Sequence, residues 1–169
     1  EGKFGVNAAH VHGMDERDAL AVTAALETRS EHPLAQAIVE EARSRGLSLP
    51  ASQDFEVVAG KGVKARVDGV TYTVGRPEWV EEQGLAFPEA LKGALAEAEA
   101  RGESAIVLMN EQTALAVFGL ADRVRQRAKD TIRALKAAGV EPVMITGDAE
   151  AVARTVAAEL GIERYYARV

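Results

Sequence analysis

The chain of 169 residues contains no cysteine, which excludes disulfide bonds and metal sites built on thiolates. It has no apolar run near the roughly 20 residues that a membrane-spanning helix needs, and Glu1-Gly2-Lys3 shows no signal-peptide pattern. Its 20 Lys and Arg are outnumbered by 26 Asp and Glu, which argues against nucleic acid as a partner because such binding depends on basic surface. With 47% hydrophobic residues, we expect a cytosolic protein with a substantial core.

Hydrophobic periodicity predicts two regions of different architecture. Residues 1–118 predict an α+β domain, an antiparallel sheet flanked by helices. The predicted strands cover 3–12, 55–59, 63–67, 71–74, 104–109 and 114–120, and helices begin at Asp15, Pro33, Pro77 and Pro88. Residues 119–169 predict helix 124–138, a buried strand 142–145, a helix ending at 161 and a closing segment 165–169, which is typical of a parallel, doubly wound α/β sheet. With about 50 residues, this second region is too short to complete a sheet.

A histidine stands directly before a predicted helix start in Ser30-Glu31-His32-Pro33. Proline has φ fixed near the helical value and lacks only an N–H that the first turn leaves unpaired, so Pro33 predicts a helix beginning there. His32 is then held at the mouth of that helix, and Glu27 stands at the end of the preceding one. A surface histidine and a solvated helix-end glutamate explain these residues nearly as well as a ligand does.

Two glycines flank a lysine in Gly60-Lys61-Gly62, between two predicted strands. Residues 60–65 match the G-x-G-x-x-A dinucleotide fingerprint formally, but that motif requires a helix directly after it, and here a strand follows. The chain also has no G-x-x-x-x-G-K-[ST] loop, which excludes a P-loop NTPase at the motif level. Two interpretations stay open: a plain β-turn, and a turn whose glycines let the backbone approach a ligand while Lys61 supplies positive charge.

Two short motifs in the second region suit a phosphate group. Thr146-Gly147-Asp148 follows a predicted strand and precedes a helix, which is where open α/β sheets bind ligands. Asp122 and Arg125 form a D-x-x-R at the start of the preceding helix. A simpler interpretation explains both motifs, because Asp148 and Asp122 also suit helix caps and Arg125 suits a solvated surface.

No set of residues completes a catalytic or metal site. His10 and His12 would share one face of a strand, but two nitrogens without a third ligand make a poor metal site. The sequence yields no Ser/His/Asp or Cys/His nucleophile arrangement. We therefore predict no catalytic residue and no metal ligand in this chain.

The order of these motifs resembles the cytosolic ATP-binding part of the heavy-metal-transporting P-type ATPases, and the resemblance covers essentially the whole chain. It implies a nucleotide-binding domain over 1–118 and a partial, haloacid dehalogenase-like phosphorylation domain over 119–169. It further implies that Glu27 accepts a hydrogen bond from the adenine amino group and that His32 packs its ring against the base. Gly60 and Gly62 would let the backbone approach the nucleotide.

The segment Val74-Gly75-Arg76-Pro77 also belongs to the resemblance and places Gly75 and Arg76 at the same site. Copper-type members usually carry Gly-Asn at this point, so Arg76 is expected either to reach phosphate or to face water. In the parent protein, the resemblance implies a second set of residues close to the phosphates: Lys61, Asp122, Arg125, Thr146, Gly147 and Asp148.

The family's D-K-T-G-T, whose aspartate is phosphorylated, and its later G-D-G-x-N-D are absent from the sequence. The resemblance therefore implies a piece of a longer membrane pump that faces the cytoplasm, with ATP, ADP and Mg²⁺ as ligands of the parent. Its partners would be the remaining phosphorylation, actuator and membrane domains. We expect the chain alone to be monomeric and to bind ATP without turnover.

Two rival functions remain at this point. One is a haloacid dehalogenase-type phosphatase with a cap domain, although the aspartate pair on a first strand is missing. The other is a non-catalytic nucleotide-binding regulatory module. Arg76 and the ending Tyr165 to Val169 favour the zinc and cadmium branch over copper only slightly.

Overall fold

The computed structural model describes residues 4–147 and 150–169, and the side chains of residues 122–126 and 151–152 fall outside that description. The chain forms two compact units, which meet in sequence at Ala121 and Asp122. Ten helices and strands begin in the first unit: β1 (Phe4–Val11), α1 (Glu16–Glu27), α2 (Pro33–Ser44), β2 (Ser52–Val58), β3 (Gly62–Val67), β4 (Val70–Gly75), α3 (Glu78–Glu82), α4 (Glu89–Ala100), β5 (Ser104–Met109) and β6 (Ala114–Asp122).

The first unit is built on a six-stranded sheet with the order β1-β6-β5-β4-β3-β2. The neighbours from β2 to β6 all pair antiparallel. Asp68 and Gly69 connect β3 to β4 with φ of 49° and 81°, which is the backbone that a two-residue hairpin turn requires. The predicted antiparallel sheet flanked by helices is confirmed.

Both faces of the sheet are covered, and β5 shows why. Ile106 and Leu108 belong to a core formed with α1 and α2, whereas Val107 and Met109 belong to a second core with α3 and α4. Successive side chains of a strand point to opposite faces, so an uninterrupted apolar strand indicates burial on both sides. The larger core lies under α1 and α2, and these two helices position the site described below.

The second unit contains α5 (Arg123–Ala137), β7 (Val143–Ile145), α6 (Glu150–Leu160) and β8 (Arg164–Tyr166). β7 and β8 pair in parallel, as the alternation of helices and strands predicts. The predicted burial of strand 142–145 holds for Pro142 but is wrong for Val143 and Ile145, which are 44% and 67% exposed. The described residues of this unit supply only two strands.

Among the described residues, no helix combines the length and the apolar character needed to cross a membrane.

Candidate functional site

One pocket of about 370 Å³ in the first unit brings together seven residues singled out from the sequence. They are contributed by the connection between α1 and α2, the turn between β2 and β3, and the end of β4. A volume of this size is typical of small-molecule sites. The seven residues are Glu27, His32, Gly60, Lys61, Gly62, Gly75 and Arg76.

A series of hydrogen bonds fixes the connection between α1 and α2. The Ser30 N–H donates to the carbonyl oxygen of Glu27 at 3.0 Å, and the His32 N–H donates to Ser30 Oγ at 3.3 Å. The Leu34 N–H donates to His32 Nδ1 at 3.2 Å, so the ring of His32 caps α2, which begins at Pro33 as predicted. Because Nδ1 accepts, the neutral ring carries its proton on Nε2. The exposed imidazole is therefore oriented by the helix that it caps.

Glu27 is buried, with 7% of its surface exposed. The interpretation of Glu27 as a solvated helix-end glutamate is therefore wrong. Burial raises the pKa of Glu27 from 4.5 to about 7, and a hydrogen bond from Ser30 opposes that rise. Near neutral pH the carboxyl group is thus divided between an ionised form, which only accepts hydrogen bonds, and a protonated form, which also donates one.

The three glycines of the pocket meet different structural demands. Gly60 has φ of +70°, and a Cβ there would meet nothing within 4 Å, so its demand is purely conformational. A Cβ on Gly62 would lie 2.0 Å from the carbonyl oxygen of Val74, and one on Gly75 would lie 2.6 Å from Cε3 of Trp79. Close packing around β4 therefore requires glycine at 62 and 75 whether or not a ligand binds.

An apolar wall completes the pocket, and the sequence reasoning missed it. Val57 is the most distinctive member, since it is 66% exposed beside the β2–β3 turn. Its place could have been inferred from the glycine motif three residues later, whereas the members from β5 depend on a strand order that no local pattern reveals. The wall consists of Leu34, Ala35, Val57, Val58, Val63, Ala105 and Ile106.

Two cations lie at the pocket, and a glutamate from α3 holds both. Lys61 Nζ donates to Glu82 Oε2 at 2.5 Å, and Arg76 Nη2 donates to Glu82 Oε1 at 3.4 Å. Arg76 is exposed at the edge of the pocket that it lines, and its guanidinium contacts Glu82. Glu82 was not singled out from the sequence, and nothing in the spacing from Lys61 indicates the contact.

The phosphate motifs of the second unit are described only in part. Thr146 and Gly147 follow β7 directly, and the Thr146 N–H donates to a carbonyl of β8 at 2.9 Å. Asp148 lies outside the described residues, as do the side chains of Asp122 and Arg125. A phosphate site at these residues stays a prediction.

Within the described part of the chain, no group of three or more His, Asp and Glu side chains could hold a metal ion. The side chains nearest the pocket are one buried carboxyl, one imidazole and two cations, which suit an organic anion with a hydrogen-bonding ring better than a metal.

Comparisons with known proteins extend over nearly the whole chain. Residues 6–169 match the model of the haloacid dehalogenase-like hydrolases. Copper-exporting P-type ATPase B of Archaeoglobus fulgidus is 38% identical over 169 residues, which are 100% of this chain and 24% of that protein. The crystal structure of a zinc-transporting PIB-type ATPase is 32% identical, with a TM-score of 0.72, and the match covers 99% of this chain and 27% of that one.

A third comparison is with a single domain of a copper-transporting P-type ATPase. The N-domain of HMA6, a copper-transporting P-type ATPase, is 26% identical with a TM-score of 0.59, and the match covers 70% of this chain and 99% of that domain. The chain spans about a quarter of the length of the full-length relative from Archaeoglobus fulgidus. The predicted resemblance to the cytosolic part of heavy-metal P-type ATPases is confirmed.

Proposed function

The chain belongs to the haloacid dehalogenase-like hydrolase family, and we propose that it is the ATP-binding portion of a heavy-metal-exporting P-type ATPase. Its first unit is the nucleotide-binding domain, and its second is part of the phosphorylation domain. ATP bound in the pocket delivers its γ-phosphate to an aspartate outside this chain, ADP leaves, and domain closure couples the transfer to metal movement. The remaining phosphorylation, actuator and membrane domains are its partners, and it faces the cytoplasm.

The observation that carries the proposal is the convergence of a buried carboxyl, an oriented imidazole and two cations on one apolar pocket. The carboxylate of Glu27 accepts from the amino group of adenine, and the ring of His32 packs against the base. The apolar wall excludes water from the other face of the base. Lys61 and Arg76 lie where the charged end of the ligand needs positive potential.

The chain holds the nucleotide but supplies no nucleophile. The sequence contains no D-K-T-G-T motif, and the described residues offer no cluster for a divalent cation. Mg²⁺ therefore belongs to the parent protein in this proposal, and no step in this chain is assigned to it. The chain alone binds ATP without hydrolysing it.

Titration of ATP into the purified chain, followed by NMR of the histidine rings, tests the proposal. The sequence has three histidines, so His10 and His12 on the β1 side serve as internal controls. We expect the His32 ring and the Gly60 and Gly62 amides to shift at millimolar ATP while the controls stay still. His32→Ala should weaken binding by about fivefold to thirtyfold, the value of one stacking contact.

Three outcomes separate this proposal from its rivals. If the chain releases phosphate steadily from ATP and His32→Ala abolishes that release, the chain is a haloacid dehalogenase-type phosphatase and not a binding domain. Undisturbed His32 and glycine-turn signals at millimolar ATP would refute nucleotide binding. If ATP binding is unchanged in both His32→Ala and Glu27→Gln, the nucleotide binds at another place in the chain.

A further inference from the structure

Glu82 holds both cations of the pocket without lining the pocket itself. Lys61 stands in the turn between β2 and β3, and Arg76 follows β4 directly. The pairing of Gly62 with Gly75 brings these two positions side by side, and the Arg76 N–H donates to the Lys61 carbonyl at 3.3 Å. Glu82 ends α3 and reaches the pair from one side, with one carboxylate oxygen on each cation.

The arrangement leaves little uncompensated positive charge for a ligand. Glu82 lies 2.5 Å from Lys61 and 3.4 Å from Arg76, and Glu78 approaches Arg76 at 4.0 Å. The hydrogen bond from Lys61 is the main cause that lowers the pKa of Glu82, so Glu82 is ionised at neutral pH. The two cations that line the pocket are thus paired with a carboxylate of the chain itself.

The same contacts are easily exchanged. The side chains of Lys61 and Glu82 are each 39% exposed, and that of Arg76 is 51% exposed. Ion pairs with this exposure are weak because water and salt screen them. A polyphosphate carries more charge than one carboxylate and offers bidentate acceptors to a guanidinium, so it competes directly for both cations.

We propose that Glu82 is a specificity-determining residue that competes with the phosphates of the bound nucleotide for Lys61 and Arg76. This inference rests on the proposed nucleotide site. Its consequence is that each phosphate group adds less to affinity than two free cations would provide. The site then discriminates weakly between nucleoside and nucleotide, which favours release after phosphoryl transfer.

The test compares three probes, adenosine, ATP and inorganic tripolyphosphate, on the whole chain and on Glu82→Gln. Binding is measured by calorimetry and by the His32 ring signal. Glu81→Gln is the matched control, because Glu81 is an exposed residue of the same helix. Removal of one negative charge a few ångströms from the phosphates should strengthen ATP and tripolyphosphate binding about threefold to tenfold. Adenosine binding should be unchanged in both variants.

A second variant ties the effect to the cation. In a Lys61→Gln background, Glu82→Gln should strengthen tripolyphosphate binding by clearly less than in the natural chain. The reason is that the contact between Lys61 and Glu82 is already absent in that background. Equal thermal midpoints of Glu82→Gln and Glu81→Gln check that both fold alike.

The outcomes for the two proposals differ. If Glu82→Gln leaves tripolyphosphate and ATP binding as in Glu81→Gln, or weakens it, the competition is refuted, and weakening would mean that Glu82 prearranges the cations instead. If adenosine and ATP leave His32 undisturbed in every form, the proposed function fails, while the tripolyphosphate comparison still decides whether Glu82 competes for the cations.

Discussion

The buried carboxyl of Glu27 makes the stability of the first unit depend on pH in an unusual direction. Burial raises the pKa of Glu27 to about 7 in the folded chain, against 4.5 for an exposed glutamate. Among the described residues no cation contributes to this value; only burial and Ser30 do. Replacing Glu27 with glutamine keeps the size and an acceptor oxygen but removes the charge.

The sign follows from proton binding. Between pH 4.5 and 7 the folded chain holds a proton on Glu27 that the unfolded chain has released. The folded state therefore binds more protons, and the free energy of unfolding falls as pH rises through this window. Each pH unit contributes about 1.4 kcal/mol, so the whole window amounts to about 3 kcal/mol. Stability from this group is complete below pH 4.5 and is lost above 7.

Denaturation by urea at pH 5, 6, 7 and 8 measures the effect. Trp79 is the only tryptophan and is buried in the first unit, so its fluorescence reports on the unit that contains Glu27. We expect Glu27→Gln to gain about 2.5 kcal/mol relative to the natural chain between pH 5 and 8, because part of the effect is already present at pH 5. Glu99 is an exposed helical glutamate, so the unfolding free energy of Glu99→Gln should change with pH as that of the natural chain does. If the unfolding free energy of Glu27→Gln also changes with pH as that of the natural chain does, the argument from burial is refuted.

Two further substitutions probe the frame around the pocket. Gly62→Ala would place a Cβ 2.0 Å from the Val74 carbonyl oxygen and should lower the free energy of unfolding by about 2–4 kcal/mol in thermal melts. Gly93 lies in a helix with open space around it, so Gly93→Ala should raise the free energy of unfolding by about 0.5–1 kcal/mol. If Gly62→Ala and Gly93→Ala lower stability equally, the packing argument is wrong. Glu103→Gln removes the negative charge and one of the two oxygens that accept from Arg101 at 2.9 and 3.2 Å, and it should cost about 1–2 kcal/mol at pH 7. Since Arg101 lowers the pKa of Glu103, that difference should shrink as pH falls below 4.5, and a constant difference at pH 7 and 3.5 would exclude the ionic contribution.

Local sequence signals predicted most of the elements because their causes are local. Pro33 fixes the start of α2, and Asp68-Gly69 supplies the positive φ values that the β3–β4 turn needs. The boundaries of β5 agree with the prediction, since an apolar run between turn residues is unambiguous. Strand order is different. That β5 lies between β6 and β4, and that β1 joins β6, follows from packing across the whole unit.

The candidate site shows the same division between local and distant causes. His32 was recognisable because it stands before a proline, and its role as the cap of α2 follows from that position. The burial of Glu27 was not predictable, since a helix end is usually solvated and the covering residues come from other elements. Glu82 was missed for the same reason, because its contact with Lys61 joins positions 21 residues apart in sequence.

The pocket residues differ in how strongly they argue for a ligand. Gly62 and Gly75 are required by the backbone of β4 and the ring of Trp79, so a chain with no ligand would need them equally. Glu27 has no such explanation, because a buried carboxyl that lacks a cation lowers stability at neutral pH. A fold gains nothing from that arrangement, whereas a ligand that donates a hydrogen bond to the carboxylate offsets its burial. A nucleotide base in this pocket therefore accounts for the burial of Glu27, whereas the glycines at 62 and 75 need no ligand to account for them.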